Sequence, residues 1–394
     1  MHVVQAGQQP VLGIEIIFRR GGIKHEEQDA ACFFALKMLS EGTHLRTAYQ
    51  ISNFVDSLGA YLQLSPGLDR SSLEVYCLSK HANQLLLLLQ EILTQPAFSE
   101  TEFSKLKGRQ KQQIRLSNEK ISTLASKEIK TVLFGEEHPY GKSLTEASVD
   151  ALNKAHIVSF YEKHLRSSWE VLLSGDVSSE VVASVERHLG QLPMDENKSA
   201  SSPPPEFLPA THRLIERTDS LQSSLRVGLP LFKKDHPDYH SMRLVNTLLG
   251  GYFGSRLMRN IREEKGLTYG ISSGMATLED SGYLVVGTEV KKEYTQLALD
   301  EIRKEATLLC HKKVGAIELE TVKSYLAGRF LKSVDTPFAL AEKFKNIYLY
   351  GLTYDFYENY IKTLNTITSQ QVLEVANQYL ITDQWREVIV GGYA

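Results

Sequence analysis

Two histidines four residues apart, His236 and His240 in the stretch DHPDYH, stand beside Asp235 and Asp238. On one helical face such a set could ligate a metal, because imidazole and carboxylate are ordinary zinc ligands and side chains one turn apart point the same way. Pro237 and Asp235 argue for something simpler. A proline suits the first turn of a helix and an aspartate its N-cap, so the stretch reads as a helix start with incidental histidines. Gly250, Gly251 and Gly254 in LGGYFGSRL invite a phosphate-loop reading. No Lys-Ser/Thr follows them and the segment opens no βαβ unit, so a tight turn between helices is the reading adopted. His138 in HPYG is a turn residue before it is a ligand. Cys32, Cys77 and Cys310 lie singly in apolar runs, which gives neither a disulfide framework nor a cysteine-rich metal centre and makes them small core residues.

Whatever chemistry the chain performs is positioned by 394 residues, too many for one ordinary core. Basic and acidic side chains number 44 and 47, for a formal charge of -3, so no global field draws nucleic acid or anionic lipid. The longest apolar run, LLLLL at 85 to 89, is far short of the roughly 20 residues that span a bilayer. No basic, apolar and small-residue order of a signal peptide opens the sequence. A cytoplasmic location is therefore expected, with the periplasm as the alternative.

The clearest break in composition is PMDENKSASSPPPEFLPATH, rich in proline, serine and charge and without apolar period. It reads as a linker over 193–212 between domains at 1–192 and 213–394. In the first half PVLGIEIIF has the pattern of a strand, then come helices through DAACFFALKMLSEGT and TAYQISNFVDSLGA, a strand pair, and the helix HANQLLLLLQEILTQ. The second half repeats that order from SSLRVGLPLF to EYTQLALDEIRKEATLL, at an offset of roughly 207 to 214 residues, as a duplicated unit would. Strands grouped with helices of about 15 residues, without strict alternation, predict an α+β fold. Each domain is expected to be a mostly antiparallel sheet with helices packed on one face.

Several stretches in order resemble the insulinase/pitrilysin family of zinc peptidases, in its short-chain branch similar to mitochondrial processing peptidase. FGEEHPYGKSLTEASVDALNKAHIVSFYEKHL is similar to the family's His-Pro-Tyr-Gly segment and the helix after it, and VLLSGDVSSE to its Gly-Asp strand end. LLGGYFGSRLMRNIREEKGLTYGISSG resembles its most recognisable C-terminal segment. The resemblance covers nearly the whole chain and implies the duplicated α+β fold and a bacterial source.

It also implies where zinc chemistry would sit. Active members carry His-x-x-Glu-His just before a Met-Leu-x-x-Gly-Thr stretch; two histidines one turn apart hold zinc and the glutamate polarises water. Matching MLSEGT places Phe33 and Lys37 at the histidine positions, Leu36 at the glutamate, and about Gln113 at the distant third ligand. A phenyl ring, an ammonium and an aliphatic group cannot make a zinc site, and Lys37 would repel any cation in a partly buried cleft. No metal or other cofactor is expected in this chain. The family's C-terminal Arg and Tyr, seven residues apart, are present as Arg262 and Tyr269 in REEKGLTY. An arginine fork can hold a peptide carbonyl or carboxylate, and a tyrosine hydroxyl can donate to the oxyanion formed as water attacks. The resemblance thus implies a chain inactive by itself: the non-zinc subunit of a two-chain peptidase acting on unstructured peptides, with a zinc-motif homologue as partner and a homodimer as a further possibility. A scaffold or peptide-binding subunit without catalytic role is the alternative.

Overall fold

The computed structural model describes residues 1–166, 169–190 and 205–393. Residues 191–204, and with them 193–204 of the expected linker, lie outside the described residues. Two compact units result, comprising the described residues of Met1–Arg115, Leu144–Pro203 and Ser333–Lys345, and those of Leu116–Ser143, Pro204–Lys332 and Asn346–Ala394.

In the first unit the strands are β1 (His2–Gln5), β2 (Val11–Phe18), β3 (Tyr61–Ser65), β4 (Ser71–Leu78) and β5 (Trp169–Gly175). The second holds β6 (Thr211–Glu216), β7 (Gln222–Leu231), β8 (Ile271–Thr277), β9 (Gly282–Lys291) and β10 (Arg386–Gly391). The sheet orders are β1-β5-β2-β4-β3 and β6-β10-β7-β9-β8, the same arrangement twice. All pairings are antiparallel except β1 with β5 and β6 with β10. The α+β class and the duplication are as expected; the short outer strands β1 and β6, and their parallel pairing, are additions.

Strand periodicity sends alternate residues to opposite faces, and both faces are used. Leu12, Ile14, Ile16 and Phe18 of β2 enter the core of the first unit with the helices Ala31–Met38 and Ala82–Thr94. On the other face of β2, a Cβ at Gly13 would lie 3.2 Å from the Phe338 ring, and Glu15 pairs with Lys345 at 2.8 Å. The helix that supplies Phe338 and Lys345, Pro337–Tyr348, comes from the C-terminal half of the chain. The second unit mirrors this. Leu225, Val227, Leu229 and Leu231 of β7 face its core, while a Cβ at Gly228 would lie 2.8 Å from Ile129 on the helix Ile121–Phe134. Each sheet therefore carries its own helices on one face and a helix from the other half of the sequence on the second. A division at 193–212 does not contain this exchange. The strand-interior glycines make it sterically possible, because they let a foreign helix approach the backbone closely.

The helix expected at DHPDYH begins later, at Tyr239, with Asp238 as N-cap residue. His236 lies in the preceding turn, where its Nδ1 accepts the backbone N–H of Asp238 at 3.1 Å. Asp235 and Pro237 thus belong to that turn and are neither N-cap nor first-turn residues.

Candidate functional site

The helix Ala31–Met38 starts on Ala30, whose φ of 77° is left-handed and whose side chain cannot cap. Glu26 substitutes: its carboxylate accepts the N–H groups of Ala30 and Cys32 at 3.3 and 3.1 Å, filling orphan donors at the positive end of the helix dipole. Within the helix only Phe33 and Lys37 are half-exposed, and Leu36 is 0% exposed. The two positions matched to histidines therefore share one open face, while the position matched to the general base is sealed in the core. Phe33 packs edge-on against Phe34, ring centroids 5.3 Å apart. Lys37 Nζ donates to the Leu64 carbonyl on the edge strand β3 at 2.5 Å. Burial pushes the Lys37 ammonium below its ordinary pKa, and no carboxylate pairs with it among the described residues.

Directly after this helix, the retained end of the motif has a structural job. Gly42 takes φ 128°, a conformation other residues rarely adopt. Thr43 then accepts the N–H groups of Arg46 and Leu45 at 2.9 and 3.2 Å, and its hydroxyl donates to the buried Glu91, which also binds Arg46. Gly42 and Thr43 build a turn, a role that needs no zinc. Gln113 lies on the helix Glu100–Glu119 and is solvent-exposed, whereas the adjacent Ile114, 4% exposed, belongs to the core that contains Leu36. No hydrogen bond joins Gln113 to Lys37 among the described residues. These side chains do not fit a zinc ion: an aromatic ring and a cation stand at the two histidine positions, aliphatic carbon stands at the general base, and the position matched to the third ligand points into water.

In the second unit, Arg262 stands on a π-wound segment, Met258–Glu264, and Tyr269 in the loop before β8. The loop is anchored on both sides of the tyrosine. Leu267 is buried, and the Thr268 hydroxyl donates to the Glu289 carbonyl at 2.7 Å while accepting the Gly270 N–H at 3.1 Å. Pinned this way, Tyr269 is 95% exposed, which rules out a packed strand residue. Arg262 stacks its guanidinium carbon 4.7 Å from the centroid of Phe253, and no carboxylate pairs with it among the described residues. Arg256 makes the contrast: Glu318 holds it through two bonds of 2.8 and 2.9 Å. One arginine is committed to structure. The other stacks on a ring and has no such partner among the described residues.

The remaining candidates resolve as structure. His240 is 7% exposed, with the rings of Phe356 and Tyr360 at 4.4 and 5.4 Å, and burial holds its pKa down at about 4. His236 stacks on Phe232 at 4.0 Å. His138 accepts the Tyr140 N–H at 3.1 Å, as a turn residue does. Among the described residues no histidine belongs to a group of three or more potential metal ligands. Gly250 sits where a Cβ would meet the Ser273 backbone nitrogen at 2.7 Å, so close packing against β8 explains it without a phosphate. Phe253 was not singled out in the sequence; an aromatic pair set between Gly251 and Gly254 was the available signal.

Two family models match the chain: residues 17–147 fit the insulinase (peptidase family M16) model and residues 151–326 fit the one described as peptidase M16 inactive domain. An "uncharacterized zinc protease YmxG" of Bacillus subtilis is 23% identical over 368 residues, covering 92% of this chain and 89% of its own length. A protein of Helicobacter pylori named "non-peptidase homolog YmxG" is 22% identical over 372 residues, covering 92% and 85%. A solved structure from Pseudomonas fluorescens, described as a peptidase M16 inactive domain, superposes with a TM-score of 0.91 at 24% identity, covering 100% of this chain and 95% of that one. The chain therefore belongs to the insulinase family, peptidase family M16, and its sequence contains no His-x-x-Glu-His.

Proposed function

We propose that this chain is the non-zinc subunit of a two-chain metallopeptidase. A homologous chain bearing His-x-x-Glu-His holds the zinc and the general base; this chain contributes Arg262 and Tyr269 to the binding of an unstructured peptide and to stabilisation of its transition state. The supporting observation is the exposed Tyr269 together with an Arg262 that is left without an ion pair among the described residues. Tyr269 is 95% exposed on a loop fixed at both neighbours, and Arg262 has no carboxylate partner among the described residues. A core role would bury the tyrosine; an ordinary surface arginine needs no ring beneath it.

The chemistry follows from those groups. Arg262 presents a planar fork of N–H donors suited to a peptide carbonyl or carboxylate. The Tyr269 hydroxyl is a donor for the oxygen on which charge develops when water attacks. The position matched to the general base supplies no water activation, because Leu36 has no ionisable group and is sealed from solvent. Among the described residues no helix is long and apolar enough to cross a membrane, and a bacterial cytoplasm is the proposed site of action.

The test is cleavage of a quenched fluorescent unstructured peptide, with zinc, by a homologue from the same genome that carries the intact motif. Activity should rise strongly when this chain is added and should be absent from this chain alone. If the mixture equals the homologue alone, the chain is a scaffold or a peptide-binding subunit. The name of the Helicobacter pylori relative is compatible with that second reading.

A further inference from the structure

The ring stacked against Arg262 is that of Phe253. Its ring is 63% exposed, so it adds little to the core, and it lies 4.7 Å from the guanidinium carbon of Arg262. The local chain is built to place it there. Two π-wound segments, Thr247–Gly251 and Met258–Glu264, bracket the turn that carries it. Such windings are rare and recur at functional sites, because the wider turn re-aims the side chains around it. Within the turn, Tyr252 packs against Tyr325 at 4.9 Å, and a Cβ at Gly254 would lie 2.9 Å from the Tyr252 ring. Glycine at 254 thus lets Tyr252 fold inward while the next ring, Phe253, is turned out beneath the arginine.

We infer that Phe253 is a positioning residue for Arg262, holding the guanidinium plane outward for a peptide carbonyl or carboxylate. This rests on the proposed role of Arg262 and adds how that role is enforced. An arginine has a long chain of rotatable bonds and loses much freedom when it binds. A ring already stacked on it removes part of that loss before the peptide arrives. With no ion pair to fix Arg262 among the described residues, the aromatic face is the contact that does so. An exposed stack of this kind corresponds to about a two- to five-fold effect on binding.

The experiment compares Phe253→Leu, which keeps apolar bulk, with Phe253→Tyr, which keeps the ring. Each is read by the proton shift of the Arg262 Nε–H group in solution and by kcat/KM in the two-chain peptide assay. In the parent the ring current shields that proton. Phe253→Leu should move it toward the free-arginine position and lower kcat/KM about two- to five-fold; Phe253→Tyr should restore both. On an Arg262→Ala background, Phe253→Leu should have no further kinetic effect. An unmoved Nε–H signal in Phe253→Leu, or an equal kinetic loss with and without Arg262, overturns the inference. If Arg262→Ala is itself silent in the assay, the proposed function fails, and the proton shift still decides whether the stack forms.

Discussion

Replacing Leu36 by glutamate puts back the side chain that a general base requires, and the structure says the position will not accept it. Leu36 is 0% exposed on the inner face of the helix Ala31–Met38. Losing a buried leucine removes about 1.5 to 3 kcal/mol of transfer free energy. A carboxyl buried without a partner costs about 1 to 3 kcal/mol more, and ionised it costs above that. Leu36→Glu should therefore destabilise the chain by about 3 to 6 kcal/mol near neutral pH. The sign of the pH dependence follows from linkage. Burial raises the folded-state pKa of the new glutamate above its unfolded value, so the folded chain binds more protons between the two. Stability then falls as pH rises through that interval, by about 1.4 kcal/mol per pH unit. Urea unfolding of parent and variant at pH 5 and pH 7.5 reads both quantities. A variant within about 0.5 kcal/mol of the parent, the range of ordinary surface changes, at both pH values would refute the sealed position.

Other consequences are open to measurement. Lys345→Met leaves Glu15 buried without its cation and should cost about 3 kcal/mol, with much of the loss recovered by adding Glu15→Gln, read by urea unfolding. Burial pushes the Cys32 thiol up to about 12 and the Cys77 thiol to about 11, so neither should react with iodoacetamide at pH 8 in the folded chain, while both react in urea. Burial also holds the His164 and His240 pKa values down at about 4, below the unfolded value near 6.5. Their neutral rings contribute stability that is complete above about pH 6.5 and is lost as pH falls toward 4; in thermal unfolding between pH 7 and pH 4, His164→Phe and His240→Phe should each flatten the acid limb.

The fold was legible where apolar period and order repeat, because PVLGIEIIF and SSLRVGLPLF announce the same strand in two places. The helix exchange was not. Strand pattern shows which residues alternate but not what covers the second face; only Gly13 and Gly228, glycines inside otherwise strong strands, carried a sign of it. At the stretch matched to the zinc motif, residue identity argues against a zinc site there. Which of Phe33, Leu36 and Lys37 faces the open side is set by helix phase against the sheet, and that required the packed structure. The family resemblance singled out Arg262 and Tyr269, while their spacing by itself is compatible with a strand tyrosine in a core. The Thr268 hydrogen bonds and the buried Leu267 settle its exposure. The start of the DHPDYH helix was misplaced because the His236 ring caps the Asp238 N–H, a contact for which histidine gives little sequence signal.

The most direct measurement is kcat for the two-chain mixture with Tyr269→Phe in this chain, a change that removes one exposed oxygen and leaves the fold alone. A transition-state donor should be worth about 10²- to 10³-fold in kcat with KM little changed. A mixture that keeps full kcat with phenylalanine at 269 would contradict the assignment and leave the chain as a scaffold.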